Sequence, residues 1–481
     1  MRKEKDFLGE KLIEEKALYG IHSLRAKENF PDERPFHIEW YKAIGLVKKS
    51  CYETYKQYSI AVRNTYTNKE ITDNLIDEKI IDILIESAGE VSSGMHYEYF
   101  IVPGITGGAG TSINMNVNEI IANVSLIKYG KRPGEYKFID PIEHCNIFQS
   151  TNDVIPTSLR ICIMELLNVL EGKINKLRFS IESLEKRYRN SVRIGYTQMQ
   201  EAVPTSFGNL FSTYNDALSR DWWRISKCFE RIKVVNIGGS AIGTGITVPR
   251  FFIMEVINNL QSSTGLPITR GENLSDSTNN LDSIVEVHSI IKAHAVNLEK
   301  ILSDIRILSS DLTGRNEVKI PARQVGSSIM PGKINPVIPE YIISVAHLVY
   351  SNDILISGLC AQGCLELNAY IPIIGHSLID SLKLLIGADE TVRSNLFEGL
   401  EVNTNLAESN LFKSPAISTA LVPYIGYNNA AIIAKEMKGS NIDIFAANKI
   451  HNLIETKLLE DILKLDNLLK LGYSLKDIYN E

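Results

Sequence analysis

The chain has 481 residues, of which 44% are hydrophobic and 22% are charged, and this composition excludes a disordered or fibrous protein. Its 51 basic and 57 acidic residues give a formal net charge of −6, which provides no electrostatic basis for binding nucleic acid or an anionic membrane. The N-terminus lacks the apolar stretch of a secretory signal, and the most apolar segment, residues 341–360, is interrupted by polar side chains. We therefore expect a soluble, cytoplasmic protein.

Three zones follow one another along the chain, and we predict them to be domains. Residues 1–140 mix short helices, turns and glycine-rich loops, residues 141–395 carry very long helical patterns, and residues 396–481 indicate short helices. Six cysteines occur without a CxxC pair, which favours free thiols in helix cores over a metal or redox site. The predicted fold class is mainly α.

The long helices are predicted from apolar periodicity. Apolar residues recur at mostly helical steps over residues 281–308, with neither proline nor glycine in the run, so one helix of many turns is expected. Similar patterns cover residues 159–188, 339–357 and 370–388, and the third should stop at Gly358. Because some of these helices are apolar around most of their circumference, we expect them to be buried between subunits.

Four irregular stretches interrupt this helical pattern, and all are rich in short hydrogen-bond donors that suit a small anion. Residues 107–116 are glycine-rich and place Thr111 near a helix N-terminus, where an anion is favoured, although a simple helix start explains them equally well. Residues 150–153 taken alone favour an N-cap of the following helix over a site. Residues 195–204 offer Thr197 and Gln198, which are unspecific in isolation.

The fourth stretch, residues 325–336, carries the sharpest chemical signal. Its two prolines and two glycines exclude a regular helix, so a loop is predicted among long helices. Ser327, Ser328, Lys333 and Asn335 lie within nine residues of one another. A flexible lid that closes over an anion explains both the glycines and the lysine.

Two other candidate sites are rejected. Residues 238–245 are glycine-rich, but they lack GxGxxG spacing and a βαβ context, so no dinucleotide site is predicted. None of the nine histidines lies in the four stretches, and His288 with His294 does not have HExxH spacing. We predict no metal site and no Ser–His–Asp or Cys–His constellation.

Residues 326–336 resemble the signature of the aspartase/fumarase superfamily. Residues 6–9 and 19–26, together with the stretches described above, are similar to the family's motifs in order and approximate spacing over essentially the whole chain. The resemblance implies a mainly α, three-domain fold with a long central helical bundle. It also implies a homotetramer with a core of twenty helices and active sites that are each shared by three subunits.

Within the superfamily, the aspartase branch is favoured. Fumarases typically carry histidine where this chain has Gln198, and residues 337–340 are similar to the aspartase version. The resemblance therefore implies that L-aspartate is converted to fumarate and ammonia. One position departs from the pattern, because Tyr196 stands where the family commonly has arginine.

The resemblance also assigns roles to the residues that match the family's motifs. Ser327 is implied as the base, activated as an oxyanion by Lys333, loop N–H groups and exclusion of water. The implied β-carboxylate ligands are Thr111, Ser150, Thr151 and Ser328. The α-carboxylate would be held by Lys333 and Asn335, and the amino group by Asn152, Thr197 and Gln198. No organic cofactor is required, whereas activation by a divalent cation such as Mg²⁺ occurs in some family members.

Three alternatives stay open. Fumarate hydration is disfavoured by Gln198, whereas Tyr196 keeps open a lyase that acts on another substituted succinate. A non-catalytic scaffold of the same fold is disfavoured because it has no need of Ser327, Lys333 and Asn335.

Overall fold

The computed structural model describes residues 1–313 and 316–479, and helices dominate this part of the chain. The α-helices are Ile21–Asn29, Ile38–Thr65, Lys69–Asp73, Glu78–Ser93, Thr111–Lys128, Thr151–Arg187, Phe207–Ser226, Cys228–Ile232, Arg250–Thr264, Leu274–Asn279, Asp282–Leu308, Val337–Cys360, Ile371–Asn395, Thr404–Lys413, Val422–Ser440, Ile444–His451, Thr456–Ile462, Leu465–Leu468 and Leu475–Ile478. Short 3₁₀ turns span Tyr97–Tyr99, Gly108–Gly110, Asp311–Thr313, Phe397–Gly399 and Pro415–Leu421. The prediction of a mainly α fold is confirmed.

The described strands form four small two-stranded sheets. Three are antiparallel: Arg2–Asp6 with Gly9–Ile13, Val192–Thr197 with Gln200–Ser206, and Val318–Lys319 with Glu401–Val402. The fourth pairs Val234–Val235 in parallel with Thr269–Arg270. Sheets this short cannot form a core of their own, so the helices must supply it.

The chain divides into two compact units. The first consists of Met1–Glu171, Arg224–Ala293 and Leu348–Leu385, and the second consists of Gly172–Trp223, His294–His347 and residues 386–479. Both units are discontinuous along the sequence. The division into consecutive domains 1–140, 141–395 and 396–481 stays a prediction.

The longest helix begins earlier than the apolar pattern predicts. Thr151–Arg187 has 37 residues and includes Pro156, whose missing N–H leaves the carbonyl oxygen of Asn152 without its helical donor. The Asn236 side chain fills that place, because its Nδ2 donates to the Asn152 carbonyl oxygen at 2.9 Å. A tertiary hydrogen bond therefore allows a proline inside the second turn. The predicted helix over residues 281–308 is confirmed as Asp282–Leu308.

Two other helix predictions were wrong in extent. Val337–Cys360 continues through Gly358, because a glycine in a helix interior costs only about 1 kcal/mol and does not end the helix. The N-terminal zone contains more than short helices, since Ile38–Thr65 has 28 residues. Its buried face includes Lys48 and Gly45, which interrupt the apolar periodicity from which a long helix would be predicted. Gly45 permits close packing, because a Cβ there would lie 2.5 Å from the backbone nitrogen of Ser92.

Two helical segments pass a test of length and hydropathy for membrane spans. These are Val337–Cys360 and Ile371–Gly399, whose most apolar windows are 33% and 67% buried in the chain. Core helices of soluble proteins pass the same test, so this finding is weak evidence for a membrane protein.

A fully buried histidine lies between two carboxylates in the core of the second unit. His294 Nδ1 is 3.0 Å from Asp221 Oδ2, and His294 Nε2 is 3.1 Å from Asp389 Oδ1. Burial alone lowers the pKa of His294, but the Asp389 charge and the hydrogen bonds to both carboxylates raise it to about 10. The imidazolium therefore compensates two buried acidic groups.

Replacing this histidine should strongly destabilise the fold. His294→Gln removes the cation that lies between the buried carboxylates of Asp221 and Asp389, and removal of one partner from a buried ion pair typically costs about 3–5 kcal/mol. The folded pKa lies above the ordinary 6.5, so the His294 contribution is complete below 6.5 and is lost as the pH rises through about 10. Thermal unfolding of both proteins across this pH range should show the difference in melting temperature narrowing at high pH.

His288→Gln is the matched control for this prediction. His288 is also buried and contacts Asp353 at 3.0 Å, but burial lowers the His288 pKa, and Asp353 keeps the Lys292 ammonium as its cation at 2.5 Å. His288→Gln should therefore lower the melting temperature less than His294→Gln does. Equal destabilisation of the two variants would contradict the role assigned to the paired charges.

Candidate active site

The residues of the predicted stretch 150–153 form the N-terminus of the longest helix. The Asn152 backbone N–H donates to Ser150 Oγ at 3.2 Å, and the Ser150 N–H donates to Asp153 Oδ1 at 2.9 Å. This reciprocal arrangement is a cap of the kind predicted. The Ser150 hydroxyl accepts in this cap and keeps its own O–H as a donor.

Asp153 connects this helix start to a second loop. Its Oδ2 accepts from the backbone N–H groups of Gly238 at 3.2 Å and Ser240 at 3.0 Å. Burial raises its pKa to about 7, although the three backbone hydrogen bonds and the charge of Lys48 act in the opposite direction. Asp153 was not among the predicted site residues, because its partners at 238 and 240 lie far along the chain.

Asn152 is held by the same loop. Its side-chain Nδ2 donates to the carbonyl oxygen of Ala241 at 2.7 Å. With the amide nitrogen engaged, the oxygen Oδ1 is the group that can accept from an ammonium or amino group. This geometry is compatible with the role implied for Asn152.

Thr111 and Thr151 stand at the starts of two helices that are linked. Thr111 is exposed at the first position of Thr111–Lys128, as predicted. One turn further on, Asn114 Nδ2 donates to Thr151 Oγ1 at 3.3 Å. The first unit therefore connects two helix N-termini, where backbone N–H groups and helix dipoles favour a carboxylate.

The N-terminal motif over residues 19–26 is anchored by a buried carboxylate, Glu119. Its oxygens accept from the backbone N–H groups of Gly20 at 2.8 Å, His22 at 2.9 Å and Ser23 at 3.2 Å. Burial raises the pKa of Glu119 to about 7 despite these bonds. Part of this motif therefore has a structural role, which is to fix the first turn of Ile21–Asn29.

In the second unit, residues 195–204 form a β-hairpin and not the irregular loop predicted. Val192–Thr197 and Gln200–Ser206 pair with a register shift between Ile194 and Tyr196. Gln198 and Met199 occupy the two-residue turn with φ of 51° and 60°, a left-handed conformation that favours glycine or asparagine. The hairpin thus presents Thr197 and Gln198 at an exposed tip with a strained backbone.

A buried cation lies beside Tyr196. The guanidinium of Arg193 packs over the Tyr196 ring at 5.5 Å and over the Phe207 ring at 5.1 Å. Its Nε is 4.0 Å from Glu317 Oε2, and burial lowers the Arg193 pKa. Tyr196 therefore covers a positive charge, although it cannot carry one itself.

Residues 325–336 form a loop, as predicted, and the base of this loop is closed by its own hydrogen bonds. Gly326 N–H donates to the Lys333 carbonyl oxygen at 2.9 Å, and Asn335 Nδ2 donates to the Gly326 carbonyl oxygen at 2.7 Å. A Cβ at position 326 would lie 2.4 Å from the Lys333 oxygen, so only glycine fits there. Asn335 is thus partly engaged in shaping the loop.

Ser327 lies inside this closed loop and is half-buried. Its Oγ accepts from the backbone N–H groups of Met330 at 3.0 Å and Ile329 at 3.2 Å. Two N–H donors directed at one hydroxyl oxygen stabilise its anionic form. Ser328 and Lys333 are exposed on the same loop.

The predicted site residues divide between the two units. The first unit contains Thr111, Ser150, Thr151 and Asn152, and the second contains Thr197, Gln198, Ser327, Ser328, Lys333 and Asn335. In the first unit, hydrogen bonds bring together residues that are far apart in sequence, such as Asn114 with Thr151 and Asn152 with Ala241. Their individual roles toward a substrate stay predictions.

Comparison with known proteins establishes the class. The family model described as "Lyase" matches residues 14–350. The chain is 36% identical to the aspartate ammonia-lyase of Helicobacter pylori strain 26695, with 98% of both chains covered. It is 35% identical to that of Bacillus subtilis strain 168, with 99% of this chain and 98% of the relative covered. The crystal structure of a fumarate lyase:delta crystallin from Brucella melitensis superposes with a TM-score of 0.89 at 32% identity, covering 97% and 98% of the two chains.

The chain therefore belongs to this family of lyases, the aspartase/fumarase superfamily. Its relatives at this level of identity are aspartate ammonia-lyases, so the resemblance to the aspartase branch is confirmed.

Asp153 is expected to be a positioning residue for the site. Asp153→Asn replaces one carboxylate oxygen by an NH₂ group that cannot accept from Ser150, Gly238 or Ser240. Leaving such buried groups unsatisfied costs about 1–3 kcal/mol, so the melting temperature and kcat/KM should both fall. Differential scanning fluorimetry and steady-state turnover measure the two effects.

Asp77→Asn is the matched control, because Asp77 caps Glu78–Ser93 from an exposed position and asparagine caps equally well. This variant should retain both stability and turnover. An Asp153→Asn protein with unchanged turnover would refute the positioning role.

Proposed function

We propose that the protein is an aspartate ammonia-lyase that converts L-aspartate to fumarate and ammonia by anti-elimination. The relatives support the activity, and the environment of Ser327 supports the mechanism. The observation that carries the mechanism is the pair of backbone N–H groups, from Ile329 and Met330, that donate to Ser327 Oγ. A serine is too weak an acid to serve as a base unless its alkoxide is stabilised, and this loop supplies that stabilisation.

Ser327 removes a proton from the carbon next to the β-carboxylate. The electron pair of the broken C–H bond moves into the carboxylate and forms an aci-carboxylate dianion, which is the species that most needs stabilisation. Collapse of this intermediate forms the C=C bond and expels the nitrogen with the electron pair of the C–N bond. Fumarate and ammonia result, and Ser327 then returns the proton to solvent.

The substrate is held by the two groups of residues described above. Hydroxyl and backbone donors at helix N-termini suit the β-carboxylate, and the residues proposed to bind it are Thr111, Ser150, Thr151 and Ser328. Lys333 provides a charge-assisted contact to the α-carboxylate together with Asn335. The amino group is oriented by neutral acceptors, which we propose to be Asn152, Thr197 and Gln198.

The loop is proposed to close over the substrate as a lid. Four of its apolar side chains are exposed: Val325 by 80%, Ile329 by 84%, Met330 by 47% and Ile334 by 48%. Closure that buries these side chains would exclude water and strengthen the electrostatic interactions inside the site. Substrate binding through Lys333 provides the attraction that draws the loop shut.

The protein is further proposed to be a homotetramer with shared active sites. Val337–Cys360 carries exposed apolar residues, including Leu348 at 53% and Ile354 at 76%. A cluster of this kind on one helix is typical of a subunit interface. An assembly would also allow the residues of different copies to complete one site.

No organic cofactor is needed for this chemistry, because substrate carboxylates and protein donors stabilise the intermediate. Activation by a divalent cation such as Mg²⁺ and a cytoplasmic location remain proposals. A second nitrogen-bearing substituted succinate is the rival substrate, and Tyr196 is the residue that favours it.

The activity is tested by following fumarate absorbance in the ultraviolet. Purified protein is given L-aspartate or L-malate in parallel, with ammonia measured independently by a coupled enzyme assay. Fumarate and ammonia in equal amounts from aspartate, and no fumarate from malate, are expected. Fumarate from malate alone would make the protein a fumarate hydratase, and no product from either would point to another substituted succinate.

Ser327→Ala should abolish most turnover without unfolding the protein. Loss of a general base typically lowers kcat by about 10²–10⁴-fold. Ser344→Ala is the control, because Ser344 is an exposed serine whose hydroxyl donates to a helix carbonyl outside the loop. The melting temperature of both variants should equal that of the wild type. Retained turnover in Ser327→Ala would contradict the assignment of the base.

The tetramer is tested by placing a charge on the exposed face of Val337–Cys360. Ile354→Asp should lower the native mass below four chains, because a buried unpaired carboxylate opposes association. Leu471→Asp is the control, since Leu471 is fully exposed near the C-terminus. Analytical ultracentrifugation gives the masses. Four chains in the Ile354→Asp protein would exclude this face from the interface.

A further inference from the structure

Two histidines and an aspartate converge in the first unit, on residues that the proposed reaction does not use. His37 directly precedes the helix Ile38–Thr65, while His376 and Asp380 are one turn apart on Ile371–Asn395. His37 Nε2 is 3.2 Å from Asp380 Oδ1, and His376 Nε2 is 3.3 Å from Asp380 Oδ2. His37 and His376 are 339 residues apart, so no local sequence pattern indicates this cluster.

The geometry fits the ligand set of a transition metal. A metal with tetrahedral ligands at about 2.0–2.1 Å has ligand–ligand edges of about 3.3 Å. Each imidazole Nε2 lies at about this distance from one oxygen of Asp380, His37 from Oδ1 and His376 from Oδ2. His37 Nε2 is also 3.3 Å from the His376 carbonyl oxygen, a contact that a bound metal would replace. The three ligand atoms lie within 4.8 Å of one another. Both imidazoles are buried, whereas the Asp380 side chain is 46% exposed. The protein thus offers three ligands and a solvent-facing side for a fourth.

The second ring nitrogen of His376 is not available as a ligand. Its Nδ1 is buried and has no hydrogen-bond partner in the described part of the chain. It faces the backbone at Gly104, where an added Cβ would lie 2.7 Å away. The nitrogen that can bind a ligand is therefore Nε2, which is directed toward Asp380.

The neighbouring cations are already paired. Arg34 forms an ion pair with Asp32 at 2.7 Å, and Lys383 forms one with Glu39 at 2.9 Å. Neither is left as the dedicated partner of Asp380. The cluster therefore retains a carboxylate charge that can favour a divalent cation.

We propose that His37, His376 and Asp380 form a binding site for a divalent transition metal of the Zn²⁺ type. Imidazole nitrogen ligands select Zn²⁺, Co²⁺ or Ni²⁺ over Mg²⁺, which prefers oxygen ligands. A metal here joins the start of Ile38–Thr65 to Ile371–Asn395. It is a structural site, independent of the elimination reaction and of its proposed substrate.

The full-length protein, freed of metal by a chelator, is titrated with Zn²⁺ by calorimetry and with Co²⁺ by visible spectroscopy. We expect one metal per chain, a tetrahedral Co²⁺ spectrum without sulfur charge-transfer bands, and a melting temperature that rises with Zn²⁺. Asp380→Asn and His376→Gln should each weaken binding by about tenfold or more. Asp380→Asn keeps the side-chain shape, so it decides the question if His376→Gln folds poorly.

The control variant is Glu436→Gln, which alters a histidine–carboxylate pair with one imidazole, His451, at 3.0 Å. It should bind metal like the wild type. Cys364→Ser excludes the exposed thiol as a ligand and should also leave binding unchanged. Absence of Zn²⁺ binding, full binding by Asp380→Asn, or loss of binding in Cys364→Ser would each overturn the proposal.

Discussion

The interaction on which the first group of site residues depends is the buried carboxylate of Asp153. Its two oxygens accept from three backbone N–H groups, those of Ser150, Gly238 and Ser240. None of these three N–H groups takes part in a helix or strand hydrogen bond. The Asp153 carboxylate therefore connects the three backbone segments in place of secondary structure. The Asn236 side chain extends the same network to the helix carbonyl that Pro156 leaves free. Pro156 and Asp153 therefore help to determine where the helix begins, and the positions of Ser150, Thr151 and Asn152 follow from it.

The loop that carries Ser327 is built on the opposite principle. Its shape rests on bonds within a few residues, between Gly326 and Lys333 and between Asn335 and Gly326. Both N–H donors to Ser327 belong to the same loop. The helix starts of the first unit and this loop of the second unit are therefore stabilised in different ways, the former by tertiary hydrogen bonds and the latter by local ones.

Sequence periodicity predicted the helix Asp282–Leu308 well, because that segment has no glycine, no proline and a continuous apolar face. It placed the start of Thr151–Arg187 too late, since only a tertiary bond from Asn236 makes Pro156 acceptable there. The loop around Ser327 could be predicted from its glycines and prolines and from the family motif. Asp153 could not, because its function depends on Gly238 and Ser240, whose proximity no local pattern encodes.

The hairpin that carries Gln198 shows how one substitution is accommodated. Tyr196 lacks the charge that arginine commonly supplies in the family, yet Arg193 lies under its ring with Glu317 beyond. A cation buried in this way contributes a positive potential, but it is shielded by the ring and cannot donate directly to a ligand. The exposed tip of the hairpin therefore carries the neutral side chains of Thr197 and Gln198. Neutral acceptors suit an amino group, whereas an exposed arginine would repel one in its ammonium form. At position 196 the chain therefore offers an aromatic ring and a hydroxyl group in place of a formal charge.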